Sequence, residues 1–74
     1  MARFSRYSLG RLAQRGISRE DVEIVLRDPD ATYPSGTSDR HCYVRDIDKR
    51  RIKVVVEPSD HDQVVTAYDQ LDNG

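Results

Sequence analysis

The N-terminal part of the chain contains YSLGRLAQRGISREDV over residues Tyr7–Val22. Apolar residues recur at helical spacing before Gly16 and again after Ser18, which predicts two short helices. Glycine readily takes the left-handed conformation that ends a helix, and serine caps the start of the next one. We therefore expect a first helix over Arg6–Arg15, with a buried side made of Leu9, Leu12 and Ala13.

The second helix has clear signals at both ends. Ser18 and Asp21 have the spacing of a capping box, and Ile17 can pack on Val22 across the cap. Pro29 disfavours a helical conformation at the residue before it and so ends the helix. The apolar side of this helix is predicted to consist of Val22, Val25 and Leu26.

After Pro29 the apolar pattern changes from a period of 3.6 to a period of 2, which predicts strands over residues 31–33, 40–47, 51–57 and 63–69. Alternation places Cys42 and Val44 on one face of the second strand, and it buries Ile52, Val54 and Val56 of the third. Short connections favour an antiparallel meander. The predicted fold class is α+β, with two N-terminal helices packed on a three- to four-stranded antiparallel sheet. Residues 1–70 are expected to form a single domain and residues 71–74 a frayed tail.

Composition limits the size of the core. The chain has 74 residues, of which 34% are charged, and a formal net charge of −1. So small and so charged a chain buries little apolar surface alone, which predicts a homodimer with a seam at the fourth strand or at the short first one. The near-zero net charge argues against a general nucleic-acid binder. Arginines precede the first acid, Glu20, whereas acids gather near the C-terminus, so a local cationic surface is still expected.

Several classes of site are excluded or unfavoured by the residues available. Cys42 is the single cysteine, so neither an internal disulfide nor a cysteine zinc cluster is possible. His61 with Asp60 and Asp62 follows a proline and indicates a turn more than a metal site. We expect no metal and no cofactor. No stretch resembles a signal peptide or a membrane span, so the expected location is the reduced cytoplasm, with no membrane contact.

One side of the first helix carries a stripe of polar groups. Tyr7, Arg11 and Arg15 stand at i, i+4 and i+8. Two guanidiniums and a phenol in a row can bind phosphate, whereas a solvated arginine face is the commoner meaning of such a stripe. Strand alternation could add further groups to this surface, namely Tyr43, Arg45, Lys53 and Tyr68. Metal-free RNA cleavage needs proton-transfer groups and cations of this kind.

These motifs resemble a known family. YSxxRLxxRGIS from Tyr7, then VxxVLxxP from Val22, and VVTAY ending at Tyr68 are similar to short bacterial proteins catalogued as a domain of unknown function. That family resembles the RelE, BrnT and barnase-type ribonuclease toxins, which cut RNA without metal. The resemblance therefore implies a RelE/barnase-like domain, RNA as substrate and an antitoxin as partner.

The resemblance also implies site residues. Arg11 and Arg15 match the arginines of the motif and Tyr68 matches its C-terminal aromatic residue, but Tyr7 stands where the family has histidine. Histidine titrates near neutral pH and tyrosine does not, so His41 is one candidate to supply the missing imidazole. The predicted catalytic set is Tyr7, Arg11, Arg45 and Tyr68; the predicted RNA- and phosphate-binding set is Arg6, Arg15 and Lys53.

Two hypotheses remain open at this point. The first is a metal-independent ribonuclease toxin that cleaves RNA by attack of the 2′-hydroxyl. The second is a non-catalytic binding module on the same fold, such as a phage inhibitor, an antitoxin partner or a nucleic-acid-associated protein.

Overall fold

The computed structural model describes residues 2–36 and 39–71. Within these ranges two helices pack on one face of a five-stranded sheet, whose strand order is β1-β5-β4-β3-β2. The elements are β1 (Arg3–Phe4), α1 (Arg6–Arg15), α2 (Arg19–Arg27), β2 (Ala31–Pro34), β3 (His41–Ile47), β4 (Arg50–Glu57) and β5 (Asp60–Asp69).

The sheet corrects the predicted fold class. A three- to four-stranded antiparallel sheet is wrong, because β1 pairs in parallel with β5 and makes the described sheet five-stranded and mixed. The helices also do not come first, since β1 precedes them. A strand of two residues, Arg3 and Phe4, is too short to show a period of 2. Its place is decided by pairing with Gln63 and Val64, which lie far along the chain. Because the sheet is five-stranded and mixed, the predicted RelE/barnase-like fold is not retained.

Helix α1 has the predicted bounds, but its buried side differs from the prediction. Ser8 and Leu12 are buried, whereas Ala13 is exposed. Ser8 can be buried because its hydroxyl belongs to a capping box. It accepts from the backbone N–H of Ser5 at 2.8 Å and donates to the Ser5 carbonyl at 3.0 Å. Gly16 ends the helix at φ 65°, as predicted.

Helix α2 begins and ends as its sequence signals predict. Ser18 and Asp21 form a complete capping box, and the helix ends before Pro29. The Asp21 carboxylate also accepts from Arg50 at 2.9 Å, and the same guanidinium donates to the Gly16 carbonyl at 3.0 Å. Arg50 thereby ties the junction between the two helices to the start of β4.

The core lies between the helices and strand β4. Ile52, Val54 and Val56 are all fully buried, together with Val22 and Val25 of α2. Strand β4 has β3 on one side and β5 on the other. Its buried face confirms the alternation predicted for this segment.

Both edges of the sheet have features that limit further strand pairing. β1 covers the first part of β5, and beyond it Arg15 donates to the edge carbonyl of Ala67 at 3.0 Å. The other edge, β2, ends at Pro34, which has no N–H to donate. The homodimer stays a prediction, and β5 offers less open edge for it than the sequence pattern indicated.

Among the described residues, no helix has both the length and the apolar character needed to cross a bilayer. Of the predicted tail, Leu71 is exposed in a turn. Residues 72–74 lie outside the described ranges.

Replacement of Val54 by alanine should lower the free energy of unfolding by about 2 kcal/mol, because it removes methyl groups from a closed core. The neighbouring Val55→Ala is the matched control, since Val55 lies on the opposite, half-exposed face. Urea denaturation of both variants measures the difference. Equal losses for the two would contradict the one-sided core.

Candidate functional site

The sheet face opposite the helices carries a group of polar and aromatic side chains. The register pairs Lys53 with Val44 on one side and Tyr68 on the other, so the three side chains share this open face. Tyr33 joins the same face through its pairing with Cys42, which in turn pairs with Val55. The sheet thus brings residues from β2, β4 and β5 onto one surface.

Lys53 lies between two aromatic rings. Its Nζ is 5.3 Å from the centre of the Tyr33 ring and 5.6 Å from that of Tyr68, both within cation–π range. Burial lowers the pKa of Lys53, but the interactions with Tyr68 and Tyr33 raise it by more than burial lowers it. The net pKa therefore lies above the ordinary lysine value. The ammonium is therefore charged at neutral pH. We call Tyr33, Lys53 and Tyr68 the sheet platform.

Arg15 reaches the platform from the end of α1. Its guanidinium donates to Thr66 Oγ1 at 3.0 Å as well as to the Ala67 carbonyl, and its centre lies 5.6 Å from the Tyr68 ring. Within the described part of the chain, neither Arg15 nor Lys53 forms an ion pair with a carboxylate. Two positive charges on this side of the molecule are therefore available to an anion.

A hollow of about 300 Å³ borders the platform beside Tyr33. Arg51 and Asp46 both line it and pair with each other at 2.9 Å. The hydrogen bond from Arg51 lowers the pKa of the Asp46 carboxyl and raises that of Arg51. Their charges compensate each other, so the positive character of this face comes from Lys53 and Arg15.

Arg45 does not belong to this surface. It pairs with Ile52, so it lies on the helix-facing side, opposite to Lys53. Its guanidinium donates to the carbonyl of Asp28 at 2.6 Å and to the Asp28 carboxylate at 3.1 Å. Arg45 stabilises the C-terminal end of α2, and the expectation that it shares a direction with Lys53 is wrong.

The remaining predicted residues form a second group on the outer side of α1. Arg11 donates from Nε to the Tyr7 hydroxyl at 3.0 Å and lies 5.1 Å over the Tyr7 ring. With Arg6 they line a hollow of about 390 Å³, and 61% of Tyr7 is exposed. We call Arg6, Tyr7 and Arg11 the helix patch. The seven predicted site residues are thus divided between the platform with Arg15, the helix patch and the isolated Arg45.

A third cluster was not predicted from the sequence. Tyr43 Oη lies 2.7 Å from His61 Nδ1, and the rings of His41 and His61 stack at 4.9 Å. His41 and Tyr43 pair with Val56 and Val54, so this cluster lies on the helix-facing side. His41 lies in β3 and His61 lies in β5, with β4 between them along the chain. No rule based on local spacing could therefore predict their contact. Elsewhere, too, the described residues bring no three metal-ligating side chains together.

Tyr33 was also missed as a site residue. The only signal was its position in a short predicted strand, where alternation would place it on the same face as Cys42. To use that signal, one must know which strand pairs with β2, and the sequence does not specify this.

Residues 4–69 match the family model described as Domain of unknown function (DUF4258). The chain belongs to this family. The DUF4258 region runs from β1 to the end of β5, so the platform, Arg15 and the helix patch all lie within it. No curated protein and no solved structure matches the chain. The resemblance to RelE- and barnase-type ribonucleases therefore stays a prediction from the sequence motif.

Removal of both phenol hydroxyls, in Tyr33→Phe/Tyr68→Phe, should lower the pKa of Lys53. The hydrogen bonds that raise it are lost while the opposing effect of burial remains. Because the folded pKa exceeds the unfolded one, the ammonium stabilises the fold below its unfolded pKa, and this contribution is lost as pH rises through the folded value. NMR titration of the lysine side chains measures the pKa of Lys53 in the wild-type protein and in the variant, with exposed Lys49 as the internal reference. An unchanged Lys53 pKa would contradict the proposed contacts.

Proposed function

We propose that the protein binds single-stranded RNA on the sheet platform and cleaves it without a metal ion, as a toxin-type ribonuclease. The observation that carries the proposal is the Lys53 ammonium, held between two tyrosine rings on an open sheet face. Arg15 adds a second cation at the edge of the same face.

The platform has the two kinds of group that single-stranded RNA requires. Tyrosine rings stack on unpaired bases, and cations contact the phosphates between them. Lys53 lies over both rings and Arg15 lies over Tyr68 as well, so a base bound at either ring would have a cation beside it for its phosphate. A duplex keeps its bases inside, so an aromatic surface of this type favours a single strand.

The net charge of −1 does not oppose this proposal. Four acids are compensated by arginines that do not belong to the platform, in the pairs Arg3–Asp60, Arg45–Asp28, Arg50–Asp21 and Arg51–Asp46. At the platform, an approaching RNA strand meets Lys53 and Arg15, whose charges are not paired with a carboxylate of the described residues. Local potential, more than net charge, determines where an anion binds.

The same groups support a cleavage step. The 2′-oxygen attacks phosphorus, the bond from phosphorus to the 5′-oxygen breaks, and a 2′,3′-cyclic phosphate remains. Lys53 and Arg15 stabilise the extra negative charge of the transition state. Tyr68 lies beside Lys53, with Nζ 5.6 Å from the ring centre, and its O–H can protonate the leaving 5′-oxygen while the 2′-hydroxyl proton passes to water. The phenol regains its proton from solvent.

A second candidate is a binding module without catalysis. It is favoured by the position of the histidines, the side chains that ordinarily titrate near neutral pH. Both belong to the cluster on the helix-facing side. The family histidine is replaced by Tyr7, which lies in the helix patch and not on the platform. RNA binding with no cleavage would support this candidate.

Binding is tested with a fluorescently labelled single-stranded RNA tetranucleotide in an anisotropy titration. Tyr33→Ala should weaken binding on the order of tenfold, because one stacked base loses its ring. Lys53→Met should weaken it as well, whereas Lys49→Met, a matched change at an exposed turn lysine, should not. If wild-type protein does not bind RNA, or if both lysine variants behave alike, the proposal fails.

Cleavage is tested with the same RNA in excess EDTA. Tyr68→Phe retains the ring and should leave binding unchanged while lowering the cleavage rate. Lys53→Met should lower the rate about 100-fold under saturating RNA. Tyr7→His, which restores the family residue, should leave the rate unchanged. A gain of cleavage in that variant would place the reaction at the helix patch instead.

A further inference from the structure

We infer that the helix patch is a second subsite for the same RNA strand, joined to the sheet platform by Arg15 around the edge of β5. The inference rests on the proposed RNA binding and extends it. One strand would lie across the open sheet face, pass the β5 edge at Arg15, and continue along the outer side of α1.

A series of neighbouring side chains connects the sheet platform to the helix patch. From Tyr33 to Lys53, from Lys53 to Tyr68 and from Tyr68 to Arg15, successive groups lie 5.3, 5.6 and 5.6 Å apart. Arg11 stands one helical turn, about 6 Å, from Arg15 along the axis of α1. Aromatic and cationic groups therefore follow each other at similar intervals from one sheet edge to the start of α1, and none of these cations is paired with a carboxylate of the described residues.

Helix α1 carries positive charge that no carboxylate of the described residues compensates. The helix contains three arginines and no acidic residue. Arg11 and Arg15 repel each other at i and i+4, and Arg6 in the first turn opposes the helix dipole. Within residues 2–36 and 39–71, neither Arg6 nor Arg11 has a carboxylate partner. No carboxylate of the described residues relieves this repulsion, whereas a bound polyanion would.

Tyr7 is held by Arg11 beside an open hollow. Its hydroxyl accepts from Arg11, whose guanidinium also covers one face of the ring. These contacts restrict both side chains before any ligand arrives, which lowers the entropic cost of binding. Gly10 lines the same hollow, and a Cβ there would meet nothing within 4 Å. The hollow beside the ring is therefore open to a base.

An acidic protein segment would also satisfy the arginines of the helix patch. RNA is favoured because Arg15 lies between the patch and the platform, and because the aromatic rings at both ends suit bases better than carboxylates. The experiment below separates the two ligands.

The test compares a labelled single-stranded RNA tetranucleotide with a dodecanucleotide that contains the same four bases. Wild-type protein should bind the longer RNA at least tenfold more tightly, and Arg11→Ala and Tyr7→Ala should each remove most of that gain without changing tetranucleotide affinity. Arg27→Ala, an exposed arginine at the end of α2, is the matched control and should behave as wild type. The salt slope for the dodecanucleotide should fall by about 0.7 in Arg11→Ala, as expected for one lost phosphate contact.

The outcomes separate this inference from the proposed function. If neither RNA binds, the proposed function fails and the inference with it. If both RNAs bind equally well, or Arg11→Ala weakens both equally, the platform still binds RNA but the second subsite is overturned. If a polyglutamate peptide binds the helix patch and the dodecanucleotide does not bind there, the patch is a protein-docking surface. Circular dichroism of each variant shows whether its fold is retained.

Discussion

One-sided burial of strand β4 is the constraint on which the rest of this structure depends. Ile52, Val54 and Val56 point towards the helices and are closed from solvent. Because successive side chains of a strand point to opposite faces, Lys53 and Val55 must then face away from them. The hydrophobic effect that forms the core therefore also places the lysine on the open face. A slip of one residue in the register would bury the ammonium and expose the valines.

Arginines link the separate layers of this small domain. Arg50 ties β4 to the junction of the two helices, and Arg45 ties β3 to the end of α2. Arg15 has a different position, since it satisfies a carbonyl at the sheet edge while its charge remains unpaired within the described residues. The first two arginines have structural partners that account for them. Arg15 and Lys53 have no carboxylate partner among the described residues, and this difference in charge compensation is the basis for assigning them to a ligand.

The distribution of charge explains how a nearly neutral chain can present a cationic surface. Acids pair with arginines at the turns and helix ends, where such exposed pairs contribute little to stability. Among residues 2–36 and 39–71, no acid pairs in this way with a cation of the helix patch or the platform. The structure thus separates charges that the overall composition averages together.

Local sequence determined the elements whose causes are local. Gly16 and the Ser18–Asp21 capping box specified the helix ends, and the alternation of Ile52, Val54 and Val56 specified the buried face of β4. Pairing over long distances was not readable, because it depends on which strands meet and not on their own patterns. The parallel position of Arg3–Phe4 and the separation of Arg45 from Lys53 both follow from such contacts.

The candidate site shows the same division. Sequence alone selected Arg15, Lys53 and Tyr68 as residue types suited to RNA, and placed Tyr7 and Arg11 on one stripe of a helix. Only the tertiary structure added Tyr33, brought the two histidines together on the opposite face, and turned Arg15 around the edge of β5. The physical reason is that helical and strand periods define a direction for each side chain within its own element. The distance between side chains of different elements is set by the packing and register of the whole sheet.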